Sequence, residues 1–140
     1  MRFSIPAREQ ACLMGNLIDS SVWVALFLDF DTHHTKADHH FSKLQGKIYL
    51  PYCVLNEVTT VLAYKHSKQQ ANQFLSFVEE NQDIILLEDS SVEEISFYKS
   101  LNAKISFSDA ALLLFSKRLK ANFLTFDKQL ERLAKKLDLI

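Results

Sequence analysis

Apolar residues in this chain fall into two kinds of run, short continuous blocks and longer stretches in which they recur every third or fourth residue. The first block, Leu17 and Ile18, ends on Asp19. Two serines and an apolar, helix-compatible stretch to Leu28 follow, which predicts a buried strand, a turn and a helix. A polar break at Asp29 to Asp31 leads into a charged helix over His33 to Leu44. Lys47 to Leu50 (KIYL), closed by Pro51, predicts a second strand, and Val54 to Tyr64 a helix. Lys68 to Glu80 is amphipathic, with Ala71, Phe74, Leu75 and Val78 on one helical face. Asp83 to Leu87 (DIILL) has the continuous apolar character of a strand buried on both faces. Helices over Val92 to Leu101 and Asp109 to Lys120, a strand at Asn122 to Thr125 (NFLT) and a helix at Lys128 to Lys136 complete the series, with a short edge strand expected at Leu137 to Ile140. Strands alternating with helices predict an α/β domain with a parallel sheet covered on both faces.

Composition narrows the class. The chain has 140 residues, enough for one domain with one core, and its 48% hydrophobic and 24% charged residues are ordinary for a globular protein. Two glycines and two prolines are too few for the tight turns of an all-β fold. They also exclude a glycine-rich phosphate cradle. A formal net charge of −1 excludes strong nucleic-acid binding by bulk charge, so such a function needs a local basic rim or a metal. Cys12 and Cys53 lack metal-site spacing and are expected as reduced packing residues of a cytoplasmic protein. No run is apolar enough for a membrane span, and there is no signal-peptide pattern. Residues 1–13 are mixed in pattern and are expected to be a leader or N-terminal extension, in which Phe3 and Ile5 could pack on the body. Met14 offers an alternative start to a domain spanning residues 14–140.

The candidate chemistry comes from topology. With right-handed crossovers, each connection begins at the C-terminal edge of the sheet, where ligands bind in open α/β folds. Asp19 ends the first strand, Glu57 lies early in the helix after the second, Asp109 opens the helix before the fourth, and Asp127 follows the fourth. Asp19 and Asp127 each also fit an ordinary helix N-cap, and Ser106 with Asp109 fits a capping box. Glu57, at helical spacing with Val54, Val58 and Val61, is expected to share or border an apolar stripe, where a carboxylate is costly unless paired or bound to a cation. Carboxylates gathered on one edge repel, and either raise their pKa values or recruit a divalent cation. Oxygen ligands without His or Cys suit Mg²⁺ or Mn²⁺, which can lower the pKa of a bound water and neutralise a phosphodiester. Hydrolytic phosphoryl transfer is the reaction class.

Taken in order, IDSSVWVALF, NEV, SDAALL and LTFD resemble the PIN-domain ribonucleases, in particular the VapC toxins of bacterial type II toxin–antitoxin pairs. The resemblance runs from Asn16 to near the C-terminus. It implies a three-layer α/β/α fold with a central parallel sheet, Mg²⁺- or Mn²⁺-dependent cleavage of RNA, a homodimer, and a small antitoxin partner. By position, Asp19 and Asp109 would be the principal metal ligands, with Glu57 and Asp127 completing the acidic pocket directly or through water. Ser20 or Ser21 and Thr125 would support the ligands by hydrogen bonds. Ser21 stands where Asn is frequent in the family.

Other features are weaker. The tract His33 to His40 lacks the i, i+4 spacing of a helical zinc site and is expected to be a solvated helix face. Lys117, Arg118 and Lys120 suit the C-terminal dipole of their helix. Lys65, Lys104 and Lys128 are the candidates for a substrate rim. Trp23 is expected in the core or at a dimer interface, and the eleven scattered phenylalanines in the core. A haloacid-dehalogenase-type phosphatase would need an Asp at Ser21. A response-regulator receiver would use an acid after the third strand, as at Glu88 and Asp89, but needs paired acids at the first strand. The alternative of another class is a catalytically silent PIN-fold binding module acting through antitoxin and dimer contacts.

Overall fold

The structure, a computed structural model, describes residues 15–140; the expectations for residues 1–13 and for Cys12 lie outside the described residues. The elements run β1 (Asn16–Ile18), α1 (Ser20–Phe27), α2 (His34–Ser42), β2 (Ile48–Pro51), α3 (Tyr52–Lys65), α4 (Lys68–Glu80), β3 (Ile84–Leu87), α5 (Ser91–Ser100), α6 (Phe107–Leu119), β4 (Asn122–Leu124) and α7 (Lys128–Lys136). All strand pairings are parallel, in the order β3-β2-β1-β4, and the flanking helices give the expected three-layer α/β/α fold. Because β1 is hydrogen-bonded on both sides, Asp19, the residue that follows it, sits at an inner position of the sheet edge. There Asp19 N–H donates to Leu124 O across the ladder (2.9 Å).

The core explains why the strands read as unbroken apolar runs. Leu17, Ile18, Ile48, Tyr49, Leu50, Ile84 and Ile85 are all buried, as expected of a sheet covered on both faces. Gly15 precedes β1 because a Cβ there would stand 2.1 Å from the buried Tyr49 ring. Trp23 is fully buried at the centre of an aromatic cluster with Phe27, Phe41, Phe74 and Phe77, at centroid distances of 5.6–6.5 Å. This tilted and edge-on packing locks α1 to α2 and α4. Trp23 is therefore a core residue, and four of the phenylalanines form one cluster.

One expected element is absent. Residues 137–140 do not extend the sheet. Leu137 N–H donates to Leu133 O and Leu139 N–H to Ala134 O, while Asp138 takes a left-handed conformation (φ 59°). The tail thus closes the end of α7, satisfying carbonyls that a strand would have left open. Arg118, at the end of α6, pairs with Glu93 of α5, and Lys120 is the left-handed cap of α6 (φ 52°).

Candidate active site

Asp19 is held by its own turn and by the neighbouring strand. Its side chain caps α1, accepting from Ser20 N–H at 2.7 Å through Oδ1. Its Oδ2 accepts from Ser21 Oγ and from Thr125 Oγ1, both at 2.8 Å. The carboxylate is 3% exposed, so these bonds replace the water it has lost. Thr125 is the hinge of this network, because the hydroxyl that donates to Asp19 accepts from Asp127 N–H (3.0 Å). Asp127 in turn caps α7, accepting from Gln129 N–H and Leu130 N–H through Oδ1. The serines and the threonine expected behind the first acid thus touch it directly, and both strand-terminal acids are N-caps as well.

Asp109 enters from the other side, in the first turn of α6. Ser106 caps that helix, accepting from Asp109 N–H (3.0 Å), so the helix begins two residues before the predicted start. Its carboxyl is pushed up from 3.8 to about 6. Burial is the main cause, followed by the negative charge of Asp19; Glu57 and Asp127 add smaller contributions, and a hydrogen bond to Ser106 opposes them. Asp109 therefore senses the charge of all three other acids.

Glu57 corrects one expectation. It is exposed, and the buried stripe of α3 is Val54, Val58 and Leu62, with Glu57 turned aside from it. Its proximity to Asp109, and not its burial, ties it to the site. An open pocket of about 350 Å³ lies beside it, lined by Tyr52, Asn56, Thr60, Asp89 and Ser108 among others. Asp89, which follows β3, is a further acid of this edge. Its carboxyl is raised by burial and accepts from the Cys53 amide. The same environment pushes the Cys53 thiol up to about 12, through burial and then the charges of Asp89 and Glu94, which suits an unreactive packing residue. Glu94 is buried at the start of α5 and accepts from Ser90 N–H, a satisfied cap.

Among the described residues, no three Asp, Glu, His or Cys groups stand as a ready-made metal-ligand set. The donor chemistry nonetheless fits a hard dication: the groups are all carboxylates, and burial followed by the charge of neighbouring acids raises the pKa of Asp109, a strain that a cation would relieve. Asp127 keeps Oδ2 outside its capping bonds, and Glu57 is exposed on a long side chain. Of the lysines expected at a rim, Lys128 follows Asp127 and opens α7, and the Lys104 carbonyl accepts from Gln129 of the same helix (3.1 Å). Lys65 ends α3, eight residues beyond Glu57 and so about 12 Å further along the axis, away from the acids.

The sequence matches the family described as PIN domain over residues 17–136. The chain belongs to the PIN domain family. Its fold is similar to that of VapC20 from Mycobacterium tuberculosis, described as a sarcin-ricin loop cleaving toxin, at 18% identity and a TM-score of 0.75. That likeness covers 84% of this chain and 93% of the other. VapBC2 from Rickettsia felis, described as bound to a DNA fragment from its promoter, matches at 14% identity and a TM-score of 0.63, over 85% and 92% of the two chains. FitAcB from Neisseria gonorrhoeae matches at 14% identity and a TM-score of 0.60, over 86% and 93%. A comparison with curated protein sequences finds no match. No helix of this PIN domain, among the described residues, is long and apolar enough to cross a membrane.

Proposed function

We propose that this PIN domain is a metal-dependent endoribonuclease and the toxin of a type II toxin–antitoxin pair, acting as a homodimer restrained by a small antitoxin. The observation that carries the reading is the charge environment of Asp109. The pKa of Asp109 is raised first by burial and then by three acids from separate stretches, Asp19, Glu57 and Asp127, an arrangement that costs stability unless a cation or a proton relieves it. Family membership supports the nuclease class, and the likeness to a sarcin-ricin loop cleaving toxin and to a toxin–antitoxin complex from Klebsiella pneumoniae supports the biological role. Asp19 and Asp109 would hold Mg²⁺ or Mn²⁺, with Glu57 and Asp127 beside them. When bound, the cation supplies Lewis acidity toward the phosphodiester and a nucleophile at neutral pH. Ser21 and Thr125 fix the rotamer of Asp19, so that its position does not depend on the cation. The capping bonds of Asp127 and Ser106 anchor the starts of the two helices that carry Asp127 and Asp109.

Asp19→Asn keeps an amide able to cap α1 and should abolish RNA cleavage with the fold intact, as read by circular dichroism and a labelled-RNA assay with Mg²⁺ or Mn²⁺. Metal-independent cleavage that survives both Asp19→Asn and Asp109→Asn defeats the assignment. The second reading is a catalytically silent binding module with the same fold. Cleavage by the wild type with either cation rules it out.

A further inference from the structure

Phe126 lies against the acidic site, and its ring gathers side chains that no role has yet absorbed. Its backbone N–H donates to Ser21 Oγ (3.1 Å), the hydroxyl that holds Asp19, and Asp127 follows it in sequence. Around the ring stand His33 (centroids 5.2 Å apart), His40 (6.2 Å) and the Lys36 ammonium, 5.0 Å from the ring centre. Positions 33, 36 and 40 share one helical face, which α2 turns toward the β4–α7 turn. The helix is pinned there by buried Ala37 and by His34 Nδ1, bonded to Ala25 O at 2.8 Å. His33 and Lys36 are exposed and His40 is half-buried.

We propose that His33, Lys36 and His40, seated on Phe126, form the rim that binds backbone phosphates of RNA and brings the strand to the acidic edge. The inference rests on the nuclease reading and adds the residues that make it electrostatically workable. A polyanion approaching four carboxylates is repelled, and a net charge of −1 gives no bulk attraction to offset this. A fixed ammonium and two imidazoles, which donate N–H bonds in either protonation state, provide local donors beside Asp19 and Asp127. The aromatic face holds the Lys36 ammonium in place by cation–π attraction. Three acids stand nearby: Asp31 accepts from the His33 backbone N–H (2.8 Å), Asp38 lies exposed on α2 and Asp127 caps α7, while Lys128 adds a second ammonium. The cluster therefore acts through directed N–H donors placed at the strand's path and not through net positive charge. A merely structural cluster would hold α2 to the turn without touching substrate.

The test is binding of a fluorescein-labelled single-stranded RNA to the full chain in EDTA, followed by anisotropy across a KCl series. The variants are Lys36→Gln and the triple His33→Gln, Lys36→Gln, His40→Gln. Lys36→Gln is expected to flatten the slope of log affinity against log salt by about 0.7, the value for one lost single-strand phosphate contact, and the triple variant to lose about tenfold in affinity at low salt. With cation present, KM should rise while kcat holds. Lys36 is exposed, so the single variant stays interpretable if the triple fails to fold. Unchanged affinity and slope in a folded variant, or a wild type that binds no RNA, overturns the rim. Weakened binding of a protein partner with RNA binding intact also overturns it, by assigning the cluster to a protein interface. A wild type that binds RNA through these residues yet cuts none refutes the nuclease reading and leaves the rim standing.

Discussion

At the scale of single residues, the site trades stability for charge. The carboxyl of Asp109 is raised to about 6 in the folded protein against an ordinary 3.8, so the native state binds its proton more tightly than the unfolded chain does. Stability is therefore favoured at low pH and falls as pH rises from about 4 through 6, with the full penalty above that window. Without metal, Asp109→Asn should be more stable than wild type near neutral pH by about 1 kcal/mol, the shift discounted for partial exposure, and the gain should vanish near pH 4. Urea unfolding at the two pH values checks both halves. Thr125 offers a complementary case. Thr125→Val keeps the shape but removes the donor to Asp19 and the acceptor for Asp127 N–H. It should weaken Mg²⁺ binding by about 10-fold or more, measured by calorimetry, with Thr125→Ser restoring most of it. The places of Asp19 and Asp127 were legible in the sequence because each stands between a strand and a helix, and that of Asp109 because Ser106 marks a helix start three residues before it. The exposure of Glu57 was not: helical spacing places it next to a stripe without saying on which side its carboxylate falls.

Elements were read best where local chemistry closes them. Lys68–Glu80 and Lys128–Lys136 match residue for residue, one capped by Ser67 and the other by Asp127. The tail at residues 137–140 departs from the expected strand because a short apolar run is equally a strand or the closing contact of a helix, and only the backbone hydrogen bonds of Leu137 and Leu139 decide. Capping also separates the two duties of Asp127. Asp127→Asn keeps an acceptor for Gln129 N–H and Leu130 N–H, whereas Asp127→Ala loses it and should cost about 1 kcal/mol of stability beyond the Asn variant. Both should lower cleavage alike if the charge is what the reaction needs. Chemical denaturation and an RNA assay on the same pair of variants separate these effects.

For the molecule as a whole, the strand order decides what meets what. With β1 between β2 and β4, the acids after β1 and β4 become neighbours, and the helices after β2 and before β4 lean in from either side. A cation that bridges these stretches binds only the folded chain. At 100 times its dissociation constant it should stabilise by about 2.7 kcal/mol, or about 5–10 °C in the thermal midpoint. Asp19→Asn and Asp109→Asn should not respond, and a wild-type midpoint insensitive to both Mg²⁺ and Mn²⁺ removes the metal from the account.

The sequence by itself determined the alternation of strands and helices, the parallel sheet and the identity of the acids, because period, capping residues and apolar runs are local properties of neighbouring positions. Only the tertiary structure decided which acids act on one another, that Glu57 is exposed, that Asp89 joins the same edge, and that His33, Lys36 and His40 close on Phe126. Those outcomes depend on strand order and helix rotation, which bring together residues as far apart as 33 and 126, and no local pattern encodes a meeting over that separation.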